Sequence, residues 1–166
     1  MTDGAPGAAW TSGDRFPVLA ARDLERTDRR LPDALTGTWN LVVVAFRRQH
    51  QQLVDQWVAW HADVAPERPG FECWEVPVLA TVWSPARTFI DGGMAQAVRE
   101  SHARRHTLTV YTNVAKAAYA LDITDTGTIT VLLVDADGRI RWRASGTPDD
   151  TGTAEVLALV DGTTPA

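Results

Sequence analysis

Residues 127–140 read Gly127-Thr128-Ile129-Thr130-Val131-Leu132-Leu133-Val134-Asp135-Ala136-Asp137-Gly138-Arg139-Ile140. The apolar run from Thr128 to Val134 predicts a buried strand, because a short continuous hydrophobic stretch has both faces to cover. Asp137-Gly138 then predicts a tight hairpin turn, since this pair tolerates the backbone angles a short connection demands. Arg139 to Ala144 becomes the antiparallel partner strand. Asp135 and Asp137, spaced like a carboxylate pair, are accounted for by turn chemistry and need no catalytic role.

Upstream, Leu41 to Phe46 (LVVVAF), set between Thr36-Gly37 and Arg47-Arg48, is another continuous apolar run and predicts the central strand. From Gln49 to Val64, the positions His50, Val54, Trp57, Val58, His61 and Val64 recur at helical spacing, and Pro66 and Pro69-Gly70 end that helix. Phe71 to Leu79 alternates as a strand, with Glu72, Trp74, Val76 and Val78 on one side and Phe71, Cys73 and Glu75 on the other. Pro77 predicts an edge position or a bulge there. Gly92-Gly93 introduces a helix over Met94 to Arg105, Thr107 to Thr112 is a strand, and Asn113 caps a helix reaching Leu121. Thr153 is expected to cap a last helix over Ala154 to Val160, and Phe16 to Ala20 with Leu31 to add a small strand and turn ahead of the core. The order β-α-β-α-β-α-β-β-α predicts an α/β fold, a central mixed β-sheet flanked by helices on both faces, with an N-terminal extension. The expected organisation is a flexible tail over 1–15, a single domain over 16–161 and a flexible tail over 162–166.

Composition narrows the chemistry. With 166 residues, 45% of them hydrophobic, the chain has room for one core that needs neither disulfides nor a structural metal. Its single cysteine excludes an internal disulfide, a CxxC pair and a cysteine-rich zinc site. A net charge of −5 leaves no excess of cations to neutralise phosphates, so nucleic acid is not an expected partner. The opening MTDGAPGAAWTSGDR has no basic start and no apolar run, and no apolar stretch nears the roughly 20 residues of a membrane helix. The expectation is a cytoplasmic protein without membrane insertion.

The element order, the central LVVVAF strand and the 127–140 segment together resemble the thioredoxin-like superfamily, in its peroxiredoxin and TlpA-like branch, which reads G-x-P-T-x-F-L-I-D-x-x-G-R-I at this place. Phe16-Pro17 and LPDALTG, ahead of the first core strand, are similar to that branch's N-terminal extension. Within the superfamily, Ile140-Arg141-Trp142 followed by Gly146 resembles redox-inactive proteins related to the mitochondrial ATP synthase assembly factor. The departures from the enzymes of the superfamily are specific. Where their reactive cysteine sits, at the head of the helix after the first core strand, this chain has Arg47-Arg48-Gln49-His50. Where they carry a cis-proline, it has Ile129, and a cis bond before a residue other than proline costs about 2.5–4 kcal/mol.

The lone cysteine, Cys73, falls inside a predicted strand next to Glu72 and Glu75, where burial and carboxylates suppress the thiolate. An inert thiol is the expected reading, with Cys73 as nucleophile the alternative. His102 and His106 have the i, i+4 spacing of a metal face, but Arg104 and Arg105 lie between them and no further ligand is near, so no metal or other cofactor is expected. Arg47, Arg48, Gln49 and His50 sit at the carboxyl end of the central strand, with Thr128 and Thr130 across from them. Open α/β sheets bind ligands there, and anions favour helix N-termini; an ordinary solvated arginine pair is the competing reading. Arg139, Arg141 and Arg143 are expected on one face of an edge strand, with Ile140 and Trp142 on the other. Seven tryptophans exceed what one core needs, which makes Trp60 and Trp83 candidate anchors for a protein partner. Two classes of function follow: a non-catalytic interaction, assembly or chaperone-like module, and a thiol-dependent antioxidant using Cys73.

Overall fold

The computed structural model describes residues 14–80 and 106–162. Strand β4 (Trp39–Ala45) explains the LVVVAF run: Leu41, Val42, Val43 and Val44 are all fully buried, because helices and loops cover both sides of the strand. Leu41, Val43 and Ala45 point into one core layer with Ile129, Val131 and Leu133; Val42, Val44 and Phe46 point into the other with Leu132 and Val134. Two apolar layers over Leu41 to Phe46 leave no polar position to write into that run.

The remaining described elements are β1 (Asp14–Arg15), β2 (Leu19–Asp23), β3 (Asp28–Leu31), α1 (Gln51–Val64), β5 (Phe71–Leu79), β6 (Leu108–Tyr111), α2 (Val114–Ala120), β7 (Thr130–Asp135), β8 (Arg139–Ser145) and α3 (Asp150–Val160). They build one sheet of order β1-β8-β7-β4-β5-β6-β2-β3. β4, β5 and β6 run parallel, β7 pairs antiparallel with β4, and β8 turns back antiparallel to β7. Helices α1 and α3 pack on the Leu41 layer through Val54, Trp57 and Val156, and α2 packs on the Val42 layer through Ala117 and Ala118. This is the mixed sheet with helices on both faces that the element order predicts.

Several expectations are corrected in detail. β5 lies between β4 and β6 rather than at an edge. Pro77 is tolerated because it falls in a gap of the β5–β6 pairing: Glu75 N–H reaches His106 O at 2.9 Å and Thr112 N–H reaches Leu79 O at 2.8 Å, and between them the ladder makes no demand on the missing donor. The last helix starts earlier than Ala154, since Asp149 rather than Thr153 is its cap, accepting from Gly152 N–H at 2.6 Å. The N-terminal extension is a hairpin of β2 and β3 joined to β6, and Asp14–Arg15 pairs with β8, so regular pairing begins ahead of Phe16. The turn after β7 is organised by Asp135, whose Oδ1 accepts from Asp137 N–H and Arg139 N–H, both at 2.9 Å; Gly138 supplies a φ of +83°. The helix predicted over Met94 to Arg105 lies outside the described residues.

A buried amide ties the β4–β5–β7 centre together. Asn40, fully buried, accepts from Gly37 N–H at 2.9 Å and from Trp74 Nε1–H at 2.9 Å, and donates to Gly37 O at 3.0 Å and to Val134 O at 3.3 Å. Gly37 must be glycine, because a Cβ there would lie 2.8 Å from both Asn40 Oδ1 and Gly70 O. Asn40→Ala strands several of these groups without water, and we expect a loss of about 3 kcal/mol in urea unfolding; a loss under about 1 kcal/mol contradicts the role assigned to the amide.

Candidate functional site

The end of β4 leads through Arg47 into a 3-10 turn over Arg48–His50 and then into α1. Arg47, Arg48 and Gln49 are exposed, and neither Arg47 nor His50 caps the helix with its side chain. No acidic residue lies in the first turn of either element, so the helix end keeps its positive character. His50 is the buried member, only 3% exposed. Its Nδ1 accepts from Phe46 N–H at 3.2 Å, which leaves the proton on Nε2, and Nε2 is buried without a partner among the described residues. His50 therefore braces the strand-to-helix turn, filling the third position after Arg47 with an imidazole. Across β4, Thr130 is buried and Thr128 partly so, while Ile129 is fully buried among the Leu41 layer. Among the described residues the one cis bond is Leu31–Pro32, so Ile129 follows a trans peptide.

Cys73 lies elsewhere, in the middle of β5 and opposite Leu41 in register. It lines a cavity of about 510 Å3 with Val58, His61, Phe71, Glu75 and His106 among its walls. Burial is the main reason its thiol is held far above the ordinary cysteine range, and the carboxylates of Glu75 and Glu72 add to it. Glu75 is itself pushed up by burial, partly offset by the hydrogen bond from Gln51 Nε2 at 3.3 Å. The two histidines are engaged: His61 Nε2 donates to Phe71 O at 2.8 Å, and His106 Nε2 lies 2.8 Å from Glu72 Oε1 while its ring stacks on Trp74. No cluster of three metal-ligating side chains occurs among the described residues, and His102 lies outside them. Among the described residues the causes acting on Cys73 all raise its thiol, and Arg68, which also lines this cavity, is engaged with Asp161.

The three arginines of β8 do not share a face. A bulge between Leu133 and Val134 shifts the pairing so that Ile140 enters the Val42 layer and Trp142 the Leu41 layer. Arg141 turns to Asp135, 3.3 Å away, and over the Trp39 ring; Arg143 donates to Leu121 O and Asp122 O, both at 2.6 Å, closing the end of α2. β8 is also not a bare edge, because β1 pairs with Arg139 and Ile140. Trp60 is half-buried, edge-on to Trp57 and Phe71, and Trp83 lies outside the described residues. Trp57, Trp74 and Trp142 each place the indole N–H on an acceptor, so much of the tryptophan surplus is core with a polar handle.

The sequence profile described as ATP10 protein matches residues 10–162. The chain belongs to the ATP10 protein family. No curated protein sequence matches it. Solved structures similar to it share the thioredoxin-like fold. A hypothetical protein from Sinorhizobium meliloti is 16% identical at a TM-score of 0.61, over 95% of this chain and 88% of that one. A thiol:disulfide interchange protein from Bacteroides sp. is 16% identical at 0.59, over 95% and 93%. BsSco, a member of the Sco family of cytochrome c oxidase assembly proteins, is 9% identical at 0.63, over 90% and 93%. At these identities the likeness is one of fold. The ATP10-family chain has one cysteine, so it carries no CxxC pair on that fold.

Two measurements follow. Cys73 in the folded protein should react with iodoacetamide at least about 100-fold more slowly at about pH 8 than in urea, since the thiolate is the reacting form; equal rates contradict the burial described. Because the Glu75 carboxyl is held above its ordinary value, the folded state retains a proton that the unfolded chain releases, and stability falls as pH rises from the unfolded value near about 4.3. Glu75→Gln should therefore melt above wild type near about pH 7.5, with the difference closing below about pH 4.

Proposed function

We propose that this ATP10-family chain is a non-catalytic thioredoxin-like module that works by binding other proteins, as an assembly or chaperone-like factor. The supporting observation is the mismatch between scaffold and reagent. The helix head where a thiolate would be stabilised holds Arg47, Arg48, Gln49 and His50, whereas the single thiol sits mid-strand in β5, held in its neutral form. An electrophile or disulfide meeting Cys73 finds little thiolate, and one that reached it would find no second cysteine in the chain to resolve the product. Membership of the ATP10 family is consistent with an assembly role, and the Sco-family neighbour shows this fold in another protein described as an assembly factor. Among the described residues no helix is long and apolar enough to cross a membrane.

The competing reading, a thiol-dependent antioxidant, has one feature in its favour: Cys73 borders a cavity in which a small substrate fits. A coupled peroxide-consumption and thiol-reduction assay separates the two. Wild type and Cys73→Ser are expected to show the same uncatalysed rate. Turnover that disappears in Cys73→Ser would replace the binding module with an oxidoreductase.

A further inference from the structure

We propose that the cavity at the β6-β2-β3 end of the sheet is an anion site, and that it takes the carboxylates of an extended acidic segment of a protein partner laid along β3. The cavity measures about 570 Å3 and is lined by Ala20, Arg22, Asp28, Arg29, Arg30 and Tyr111. Three arginines and one aspartate therefore line it, in a chain whose overall charge is −5. Arg29 is engaged with Asp23, at 3.1 Å. Arg22 and Arg30 have no side-chain partner among the described residues, and neither forms an ion pair with Asp28.

Their placement is set by the pairing. Ala20 opposes Arg30 and Arg22 opposes Asp28, so Arg22 and Arg30 are diagonal neighbours on one face of the hairpin. Arg22 also stands opposite Thr109 of β6. There, two polar atoms are withdrawn from water without a partner among the described residues: Arg22 Nε and Thr109 Oγ1. Burying an unpaired donor on a charged group is costly, and an anion held in the cavity removes that cost. Basic residues on an edge strand commonly prevent sheet-to-sheet aggregation, which accounts for Arg30; it does not account for Arg22, which lies on the inner strand with its Nε buried.

The edge itself argues for a chain rather than a free ion. Among the described residues β3 is the last strand of the sheet. Asp23 N–H donates to Thr27 O at 3.0 Å and Asp23 O accepts from Arg26 N–H at 3.0 Å, so odd-numbered residues of the hairpin turn their backbone groups inward. Asp28 and Arg30 turn theirs outward. Arg30 O is taken by Ala34 N–H at 2.8 Å, which among the described residues leaves the N–H and C=O of Asp28 and the N–H of Arg30 for an added strand. A peptide in that register projects alternate side chains over Arg22 and Arg30. Carboxylates at those positions complete both guanidinium groups, whereas the chain's net negative charge disfavours a nucleic acid.

The peptide source rests on the protein-binding reading above; the anion site does not. The full chain is titrated calorimetrically with an acetylated Glu-Thr-Glu-Thr-Glu-Thr peptide at low salt, and in separate arms with citrate and with inorganic phosphate. Peptide affinity is expected to fall at least about tenfold in Arg22→Gln and in Arg30→Gln and to be unchanged in Lys116→Gln, an exposed cation outside the cavity, with citrate and phosphate binding at least about tenfold more weakly than the peptide. Hydrogen exchange at the Asp28 and Arg30 amides should slow when peptide is added. Equal peptide affinity in wild type and Arg30→Gln, whose side chain is exposed and whose fold is not at stake, overturns the site. Undetectable peptide binding to wild type does the same. Citrate or phosphate matching the peptide overturns the strand-addition assignment in favour of a free oxyanion. Arginine-dependent peptide binding alongside Cys73-dependent turnover removes the non-catalytic reading and leaves the site standing.

Discussion

Strand β4 is enclosed on every side, and the rest of the molecule is arranged around that enclosure. It pairs with β5 along one edge and β7 along the other, and its side chains fill two separate core layers. A strand with no free edge and no free face has only its ends to offer solvent. Arg47, Arg48 and Gln49 emerge at its carboxyl end. In open α/β sheets this is where chemistry is usually placed, because the loops there are free of packing duties while the strand beneath holds them still.

In this ATP10-family chain that end has been given over to structure at its innermost position. His50 spends one ring nitrogen on Phe46 N–H and buries the other. Cys73 stands mid-strand beside two carboxylates, where burial raises its thiol above the ordinary cysteine range. The enclosed sheet around it is rigid. Rigidity alone is useful to a protein that binds: a preorganised surface loses little entropy when a partner docks.

Arginines illustrate how far residue type under-determines role. Those of β8 are alike in sequence and divided in space, one on Asp135 and Trp39, another closing α2. The pair without side-chain partners among the described residues, Arg22 and Arg30, is inconspicuous in the sequence, lying in a stretch with few apolar residues to mark its strands. Short strands with one solvated face give weak periodicity, and only their pairing with each other and with β6 brings the two guanidinium groups to one side.

The sequence by itself determined the elements that local chemistry controls. The two-sided apolar run of β4, the helical spacing through Val54 and Trp57, the Asn113 cap and the Asp135–Gly138 turn all appear where the residues place them, because each rests on neighbours a few positions apart. The absence of a CxxC pair was equally legible, since the chain has one cysteine. Tertiary structure decided what depends on distant partners. It set Pro77 in a gap of an inner ladder, divided Ile140 from Trp142 through a bulge, turned Trp57, Trp74 and Trp142 into hydrogen-bonded core, and put Arg22 opposite Thr109. Register, bulges and burial are agreements between segments far apart in the chain, and no single segment carries both halves of such an agreement.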